Sequence, residues 1–421
     1  MWNGRGIHVG ILHEFPKVIF QDGIYTLSMS KSCGKEKKSI KIHANILQEL
    51  PKVRFRDRIV LLNLIKSCGK DKNMCKAREI HSEMLKKDLI SKDIYVATAL
   101  LTTYAKCGAL KEAQEVFHQI PMRDVVSWNA MMTGYVEYGW GHEALVCFQQ
   151  MQRDGISPDS VSYTCILKAC GIGKFLEIGR DIDVEIRKKG LLQKDIMLAN
   201  ILLDMYAKCG DLKKAREVFD HLPVQSVVSW TALMDGYTQH GLADEALKCF
   251  KQMQDEGIFP NIVTYICILK ACGIVRSLEI GKDIDSEVRK QGLLQKGIVL
   301  GTALIDMYAK CGAIDKAREV FEQLPKRDVV AWNTLIAGYD QYGLSDKALE
   351  CFWQMQDEGI CPNAVTYIYS LKACAILQSL EVGEHIDAEV RKQDLLQKDI
   401  VLGTTLIDMY ATCGMVNKAR E

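Results

Sequence analysis

Val126, Asn129, Thr133 and Glu137 follow one another at intervals of three, four and four, so a helix would carry them on one face. The pattern recurs as Tyr95, Thr98, Thr102 and Lys106, as Met197, Asn200, Asp204 and Lys208, and as Val299, Thr302, Asp306 and Lys310. Each set puts an apolar residue first and a small hydrogen-bonding residue one turn on, and three of the four end in a lysine. An unpaired nucleobase asks for these things: an apolar surface to lie against, a polar group at its edge, and a cation near its phosphate. Stacking contributes about 1–3 kcal/mol per base, so several such places in series would bind tightly. Asn both donates and accepts while Thr offers one hydroxyl, so the two can favour different base edges.

A local explanation competes with this one. Asn and Thr close to a helix start often serve only the neighbouring backbone. The residues preceding the expected helices are Asp124, Asp159, Asp195, Ser226, Asn261, Gly297, Asp328, Asn363 and Asp399, all of types favoured at helix N-caps. Lys106, Lys208 and Lys310 taken singly are ordinary solvated lysines.

The elements that must position these residues are repeats. Val125 to Pro158 returns as Val227 to Pro260 and as Val329 to Pro362, and Trp128, Trp230 and Trp332 fall 102 residues apart. Such a period predicts an array in which each unit packs on its neighbours. Within the middle unit Trp128, Met131, Met132 and Tyr135 follow the i, i+3, i+4, i+7 spacing of a buried helical stripe. Gly139 marks a turn, and His142 to Gln152 forms a second helix with Ala144, Leu145, Phe148 and Met151 inward. Six of the eight prolines close units at 121, 158, 223, 260, 325 and 362. Strand-like alternation is absent, and a lone helical pair cannot bury its apolar face, so stacking into a superhelical solenoid is expected.

In chain order, residues 1–21 carry no clear pattern. Two related units follow from Asp22 and Asp57, reaching Ser-Cys-Gly-Lys at Ser32–Lys35 and Ser67–Lys70. A cassette of short, middle and long units occupies 93–194 and repeats at 195–296 and 297–398. A fourth short unit opens at Asp399 and stops at Glu421 inside its expected second helix, as a truncated chain would.

Composition bounds the functional class. Hydrophobic content of 48% and charged content of 25% suit a globular chain, and no apolar run reaches membrane-spanning length. A net charge of +1 gives no bulk support for nucleic-acid binding, so any such role must rest on a local surface. The first twenty residues have neither the apolar core of a secretory signal nor the Ser- and Arg-rich character of an organelle transit peptide. The sixteen cysteines recur at fixed slots: Cys107, Cys209, Cys311 and Cys413; Cys147, Cys249 and Cys351; Cys170, Cys272 and Cys374. With no Cys-x-x-Cys they read as small buried thiols in a reducing compartment.

VVSWNAMMTGY, ALxCFxxM, YAKCGxLxxAxxVF and YxxxLKAC resemble the pentatricopeptide repeat family of RNA-binding proteins, in the plant subclass that alternates short, middle and long motifs. The resemblance covers about residues 22–421 and implies an all-α, right-handed superhelical solenoid of stacked helix-turn-helix repeats. It implies that each repeat reads about one base through the fifth residue of its first helix and the last residue of its motif. Carried over, Thr98 with Asp124 implies G, Asn129 with Asp159 implies U, and Asn200 with Ser226 implies C. Thr231 with Asn261 implies A, Thr302 with Asp328 again G, and Asn333 with Asn363 a pyrimidine. Thr164 with Asp195, and Thr404, are usable, whereas Ile266, Ile368, Leu27 and Leu62 cannot bond a base edge. The second residues, Tyr95, Val126, Val161, Met197, Val228, Val263, Val299, Val330, Val365 and Val401, would sandwich bases, and Lys106, Lys208 and Lys310 would meet phosphates. With the N-terminus toward the RNA 5′ end, the implied target is 5′-GUnCAnGYn-3′.

The family context implies organellar RNA processing in mitochondrion or chloroplast, above all recognition of C-to-U editing sites, with splicing or transcript stability as alternatives. Editing chemistry needs a zinc-bound water held by His-x-Glu and Pro-Cys-x-x-Cys. The chain has only His81-Ser82-Glu83, on an expected second helix, and no Cys-x-x-Cys. It therefore reads as a recognition module without metal or cofactor. A deaminase or accessory factor would act in trans or from a further C-terminal domain. The competing class, a protein-binding tetratricopeptide scaffold, keeps uniform 34-residue repeats, whereas units of 31, 35 and 36 alternate here.

Overall fold

Acceptor side chains set where the helices begin. Asp124, Asp159, Ser226, Asn261 and Asn363 each accept from the backbone N–H three residues on, and the Ser or Thr at that place bonds back to the cap backbone. Asp93, Asp195, Asp328 and Asp399 cap by the side chain alone, and Gly297 makes no side-chain cap. The local explanation for this column of residues is thus correct as far as it goes. The computed structural model describes residues 18–20, 23–25, 55–295 and 297–420. Leu27 and the Ser32–Lys35 motif lie outside them.

Twenty-two helices form among the described residues, as a helical-repeat solenoid requires. Two three-residue strands, β1 (Val18–Phe20) and β2 (Gly23–Tyr25), pair antiparallel with Phe20 opposite Gly23. This pairing stands apart from the expected all-helical pattern; Val18-Ile19-Phe20 has the β-branched and aromatic character of a strand but is too short to show a period.

The chain divides into two compact units, Met1–Pro121 and Met122–Glu421, and the boundary falls inside the first expected cassette. The first unit contains α1 (Phe55–Lys70), α2 (Met74–Lys86), the single turn α3 (Leu89–Lys92), α4 (Ile94–Lys106) and α5 (Leu110–Gln119). α1 packs on α4, and α4 on α5.

The second unit is a stack of helical pairs. Its first helices are α6 (Val125–Glu137), α8 (Ser160–Gly173), α10 (Ile196–Cys209), α12 (Val227–Gln239), α14 (Ile262–Val275), α16 (Ile298–Lys310), α18 (Val329–Gln341), α20 (Ala364–Leu377) and α22 (Ile400–Thr412). Between them lie the second helices α7 (Gly141–Arg153), α9 (Leu176–Lys188), α11 (Leu212–Asp220), α13 (Ala243–Asp255), α15 (Leu278–Lys290), α17 (Ile314–Glu322), α19 (Ser345–Asp357) and α21 (Leu380–Lys392). Each first helix packs on the next first helix, so these form one continuous layer.

The core runs along the stack. Trp128, Met131, Met132 and Tyr135 are buried, as are Ala144, Leu145, Phe148 and Met151. Between units Trp230 meets Phe219 edge-on at 4.5 Å, and Trp332 meets Phe321 in the same way. From long to short units the contact is polar: the hydroxyls of Tyr206 and Tyr308 each donate at 2.8 Å to buried Asp183 and Asp285, which Arg187 and Arg289 pair at 2.7 Å. Gly139, at φ +79°, reverses the chain between α6 and α7 in a conformation other residues rarely adopt.

Candidate nucleic-acid interface

The second residue of each first helix has no place in this core. Tyr95, Val126, Val161, Met197, Val228, Val263, Val299, Val330, Val365 and Val401 are apolar, yet between 45% and 69% of each is exposed. A single exposed valine means little, but an apolar side chain kept in water at the same place in ten successive units makes this row a candidate contact surface.

Beside this row, in the second unit, several of the expected residue pairs touch. Asn129 Nδ2 donates to Asp159 Oδ1 at 2.9 Å, and Asn333 Nδ2 donates to Asn363 Oδ1 at 3.0 Å. The last residue of one repeat thus caps the next helix and accepts from the fifth residue of its own repeat. The fifth residues lie deeper than their surface spacing implied: Asn129 is 7% exposed and Thr231 and Asn333 are 9% exposed. They lie at the bottom of the row while Asp159, Asn261 and Asn363 stand exposed at its rim.

The deep residues are held by a group that local spacing did not single out. Ser162 Oγ donates to Asn129 Oδ1 at 2.7 Å, and Thr366 Oγ1 donates to Asn333 Oδ1 at 2.7 Å. Thr264 Oγ1 lies 2.8 Å from Thr231 Oγ1, whose own hydroxyl reaches Val227 O at 2.6 Å. The sequence signal was present as Asp/Asn-x-x-Ser/Thr, a capping box whose third residue also faces the preceding unit. Burial pushes the Asp159 carboxyl up, but hydrogen bonds from the Ser162 N–H, the Asn129 amide and the Ser162 hydroxyl outweigh it and hold it below the usual aspartate value.

The other expected positions differ. Asn200 makes no hydrogen bond to Ser226, and its Oδ1 is buried without a partner among the described residues. Thr302 donates to Ile298 O at 3.0 Å while Asp328 caps Ala331. Thr98 belongs to the first compact unit and Asp124 to the second, and Thr98 Oγ1 is buried without a partner among the described residues. Thr164 is half-buried, Asp195 caps Leu198 N at 3.0 Å, and exposed Thr404 donates to Val401 O at 2.9 Å. Ile266, Ile368 and Leu62 are half-buried.

The lysines arrive compensated. Lys208 and Lys310 each bond a carboxylate four residues earlier, Asp204 and Asp306, at 2.7 Å. Lys106 ends α4 and is exposed.

His81 and Glu83 each have a protein partner of their own. His81 Nδ1 lies 3.0 Å from the Tyr104 hydroxyl and Glu83 pairs with Lys86 at 2.6 Å. No cluster of three metal-ligating side chains exists among the described residues, and no helix there is long and apolar enough to cross a membrane. Fifteen cysteines among the described residues are free thiols, and burial pushes Cys170, Cys272 and Cys374 up to about 12.

These features define a modular helical-repeat protein, in which stacked units present the same few side chains along one layer of helices. Models of the PPR repeat family match residues 123–171, 225–273 and 327–376, and the PPR repeat matches 60–89, 95–125, 198–225 and 302–329. The chain belongs to the pentatricopeptide repeat family. A chloroplastic pentatricopeptide repeat-containing protein of Arabidopsis thaliana is 33% identical over 81% of this chain and 55% of its own length. A mitochondrial one from the same plant is 36% identical over 82% of this chain and 49% of its own. The chain therefore spans about half the length of these relatives. Among solved structures, the maize pentatricopeptide repeat protein PPR10 superposes with a TM-score of 0.59 at 19% identity, covering 91% of this chain and 60% of that one. The same protein in complex with an 18-nt psaJ RNA element also gives 0.59, at 15% identity over 92% of this chain and 59% of that one.

Proposed function

We propose that this chain binds single-stranded RNA along its layer of first helices, one repeat to about one base, as a recognition module. The observation that carries this is the exposed apolar row lying beside buried Asn and Thr side chains. An apolar face with a polar side chain at one edge fits a stacked base whose edge is bonded, and neither a peptide nor a small substrate needs that unit at each step. PPR10, which shares the fold, is seen holding an RNA element. The alternation of short, middle and long motifs favours the plant subclass devoted to organellar transcripts, and relatives named chloroplastic and mitochondrial support an organelle as the site of action. Within that setting the reading is recognition of a C-to-U editing site, with the deaminase supplied by a partner or a further domain.

The proposed target order is 5′-GUnCAnGYn-3′, from the pairs Thr98–Asp124, Asn129–Asp159, Asn200–Ser226, Thr231–Asn261, Thr302–Asp328 and Asn333–Asn363. Filter binding at fixed salt should show this oligomer held at least about tenfold tighter than a scrambled one, a difference of about 1.4 kcal/mol that one mismatched position costing about 1–3 kcal/mol suffices to give. Equal binding of the two oligomers, or capture of peptide in place of RNA, would sink the proposal.

A further inference from the structure

The first and third middle-to-long junctions of the second unit share one closed arrangement of side chains, and the second keeps only its hydroxyl link between repeats. At the first, Ser162 N–H donates to Asp159 Oδ1 at 2.8 Å, Asn129 Nδ2 donates to the same oxygen at 2.9 Å, and Ser162 Oγ donates to Asn129 Oδ1 at 2.7 Å. At the third, Thr366 N–H reaches Asn363 Oδ1 at 3.1 Å, Asn333 Nδ2 reaches it at 3.0 Å, and Thr366 Oγ1 reaches Asn333 Oδ1 at 2.7 Å. Ser162, Thr264 and Thr366 are wholly buried.

The chemistry admits one sense of the amide. A carboxylate only accepts, and the capping N–H commits Asn363 Oδ1 to accepting as well, so the nitrogen of Asn129 or Asn333 must face its capping partner. The hydroxyl of the next unit then shares its one proton between two acceptors, and the amide oxygen at 2.7 Å is nearer than the cap oxygen, which lies at 3.0 Å for Ser162 and 3.1 Å for Thr366. Turning the amide over would set oxygen against oxygen at the cap. At the second junction Thr231 gives its proton to Val227 O at 2.6 Å and keeps only acceptor capacity, so of the two hydroxyls Thr264 is the one free to donate, with Thr231 Oγ1 at 2.8 Å nearer to it than Asn261 Oδ1 at 3.1 Å.

We infer that the hydroxyls of Ser162, Thr264 and Thr366 are positioning residues for base selection, each fixing which donors and acceptors the buried Asn or Thr of the preceding repeat offers to RNA. This rests on the RNA-binding reading above. Asn129 and Asn333 keep one amide N–H for the base, whereas Thr231 requires a donor on the base edge. Asn200 supplies an internal contrast. It is the same residue type at the same place, but the Ser229 hydroxyl that follows it is turned to Ser226 O at 2.8 Å, and the Asn200 oxygen is left without a partner among the described residues.

The test uses the whole chain and a panel of the proposed oligomer with A, C, G or U opposite the Asn129 repeat. Removing the hydroxyl in Ser162→Ala should lower the preference for the favoured base by about three- to tenfold, the loss falling on that base alone. Ser162→Thr should restore it, since Thr fills this place at 264 and 366. Ser229→Ala should leave the preference opposite Asn200 as it was. Thermal melting follows the fold in parallel, and the buried isostere Thr366→Val, read at the Asn333 base, gives the same test should Ser162→Ala melt early. Wild-type-like preference in Ser162→Ala and Thr366→Val overturns the inference, as does equal weakening for all four bases. If the unaltered chain shows no preference for the oligomer over its scramble, the RNA reading itself fails, and this inference falls with it.

Discussion

His81 shows at residue scale how a motif changes meaning inside a repeat. It stands 102 residues before Asp183, and Asp285 and Asp387 continue the series. Where those aspartates accept from Tyr206, Tyr308 and Tyr410, His81 meets Tyr104. The His-x-Glu spacing therefore matches the Asp-x-Glu of the three long units with one residue exchanged, and it holds a junction together. Burial pushes the His81 imidazole down, against the pull of Glu115 and Glu112. The folded value then lies below the ordinary one of about 6.5, so the unfolded chain takes up the proton first as pH falls. Stability is complete above about pH 6.5 and declines as pH drops toward the folded value, by no more than about 1.4 kcal/mol per pH unit. Thermal melts at about pH 7.5 and about pH 5.5 should show this loss in the wild type and a smaller one in His81→Gln. An equal loss in the variant would place the titration elsewhere.

At the scale of elements, the spacing between successive first helices decides whether neighbouring repeats can share a groove. Gly236 in α12 faces Ala207 in α10, and a Cβ there would stand 2.6 Å from the Ala207 Cβ and 3.1 Å from its Cα. Ala is the better helix former by about 1 kcal/mol. Overpacking against a backbone that cannot swing aside costs about 1–3 kcal/mol, so the clash should win. Gly236→Ala is expected to lower the urea midpoint by an amount worth about 1 kcal/mol, with m unchanged. Stabilisation instead would mean that α10 and α12 separate freely. The same scale explains what was legible beforehand. Trp128, Met131, Met132 and Tyr135 announce their burial by period, and Val126 its exposure by standing opposite them. The depth of Asn129 was hidden, because it lies between the two faces and its holder, Ser162, comes from another helix. The Lys208–Asp204 and Lys310–Asp306 pairs were visible at i, i+4, but a lysine counted as a phosphate contact must be free of its neighbour. The short β1–β2 pairing leaves no periodic trace at all.

At the scale of the whole molecule, charge makes the sharpest demand on the RNA reading. Lysine and arginine number 54 against 53 aspartates and glutamates, and the two best-placed lysines of the second unit are already paired. For a single strand, log K falls with log salt at about 0.7 for each phosphate neutralised. Contact by three lysines would give a slope near −2, and the pairing of two of them should make it shallower still. Binding would then come from stacking and base edges, which salt scarcely touches. Asp204→Asn with Asp306→Asn keeps the size of both side chains and releases both ammonium groups. The double variant should bind RNA more tightly at low salt and steepen the slope by about 1.4, with base preference opposite Asn129 unchanged. A slope steeper than about −4 in the wild type would mean that a basic surface away from these helices holds the phosphates. No change in slope for the double variant would show that Lys208 and Lys310 do not lie along the path of the strand.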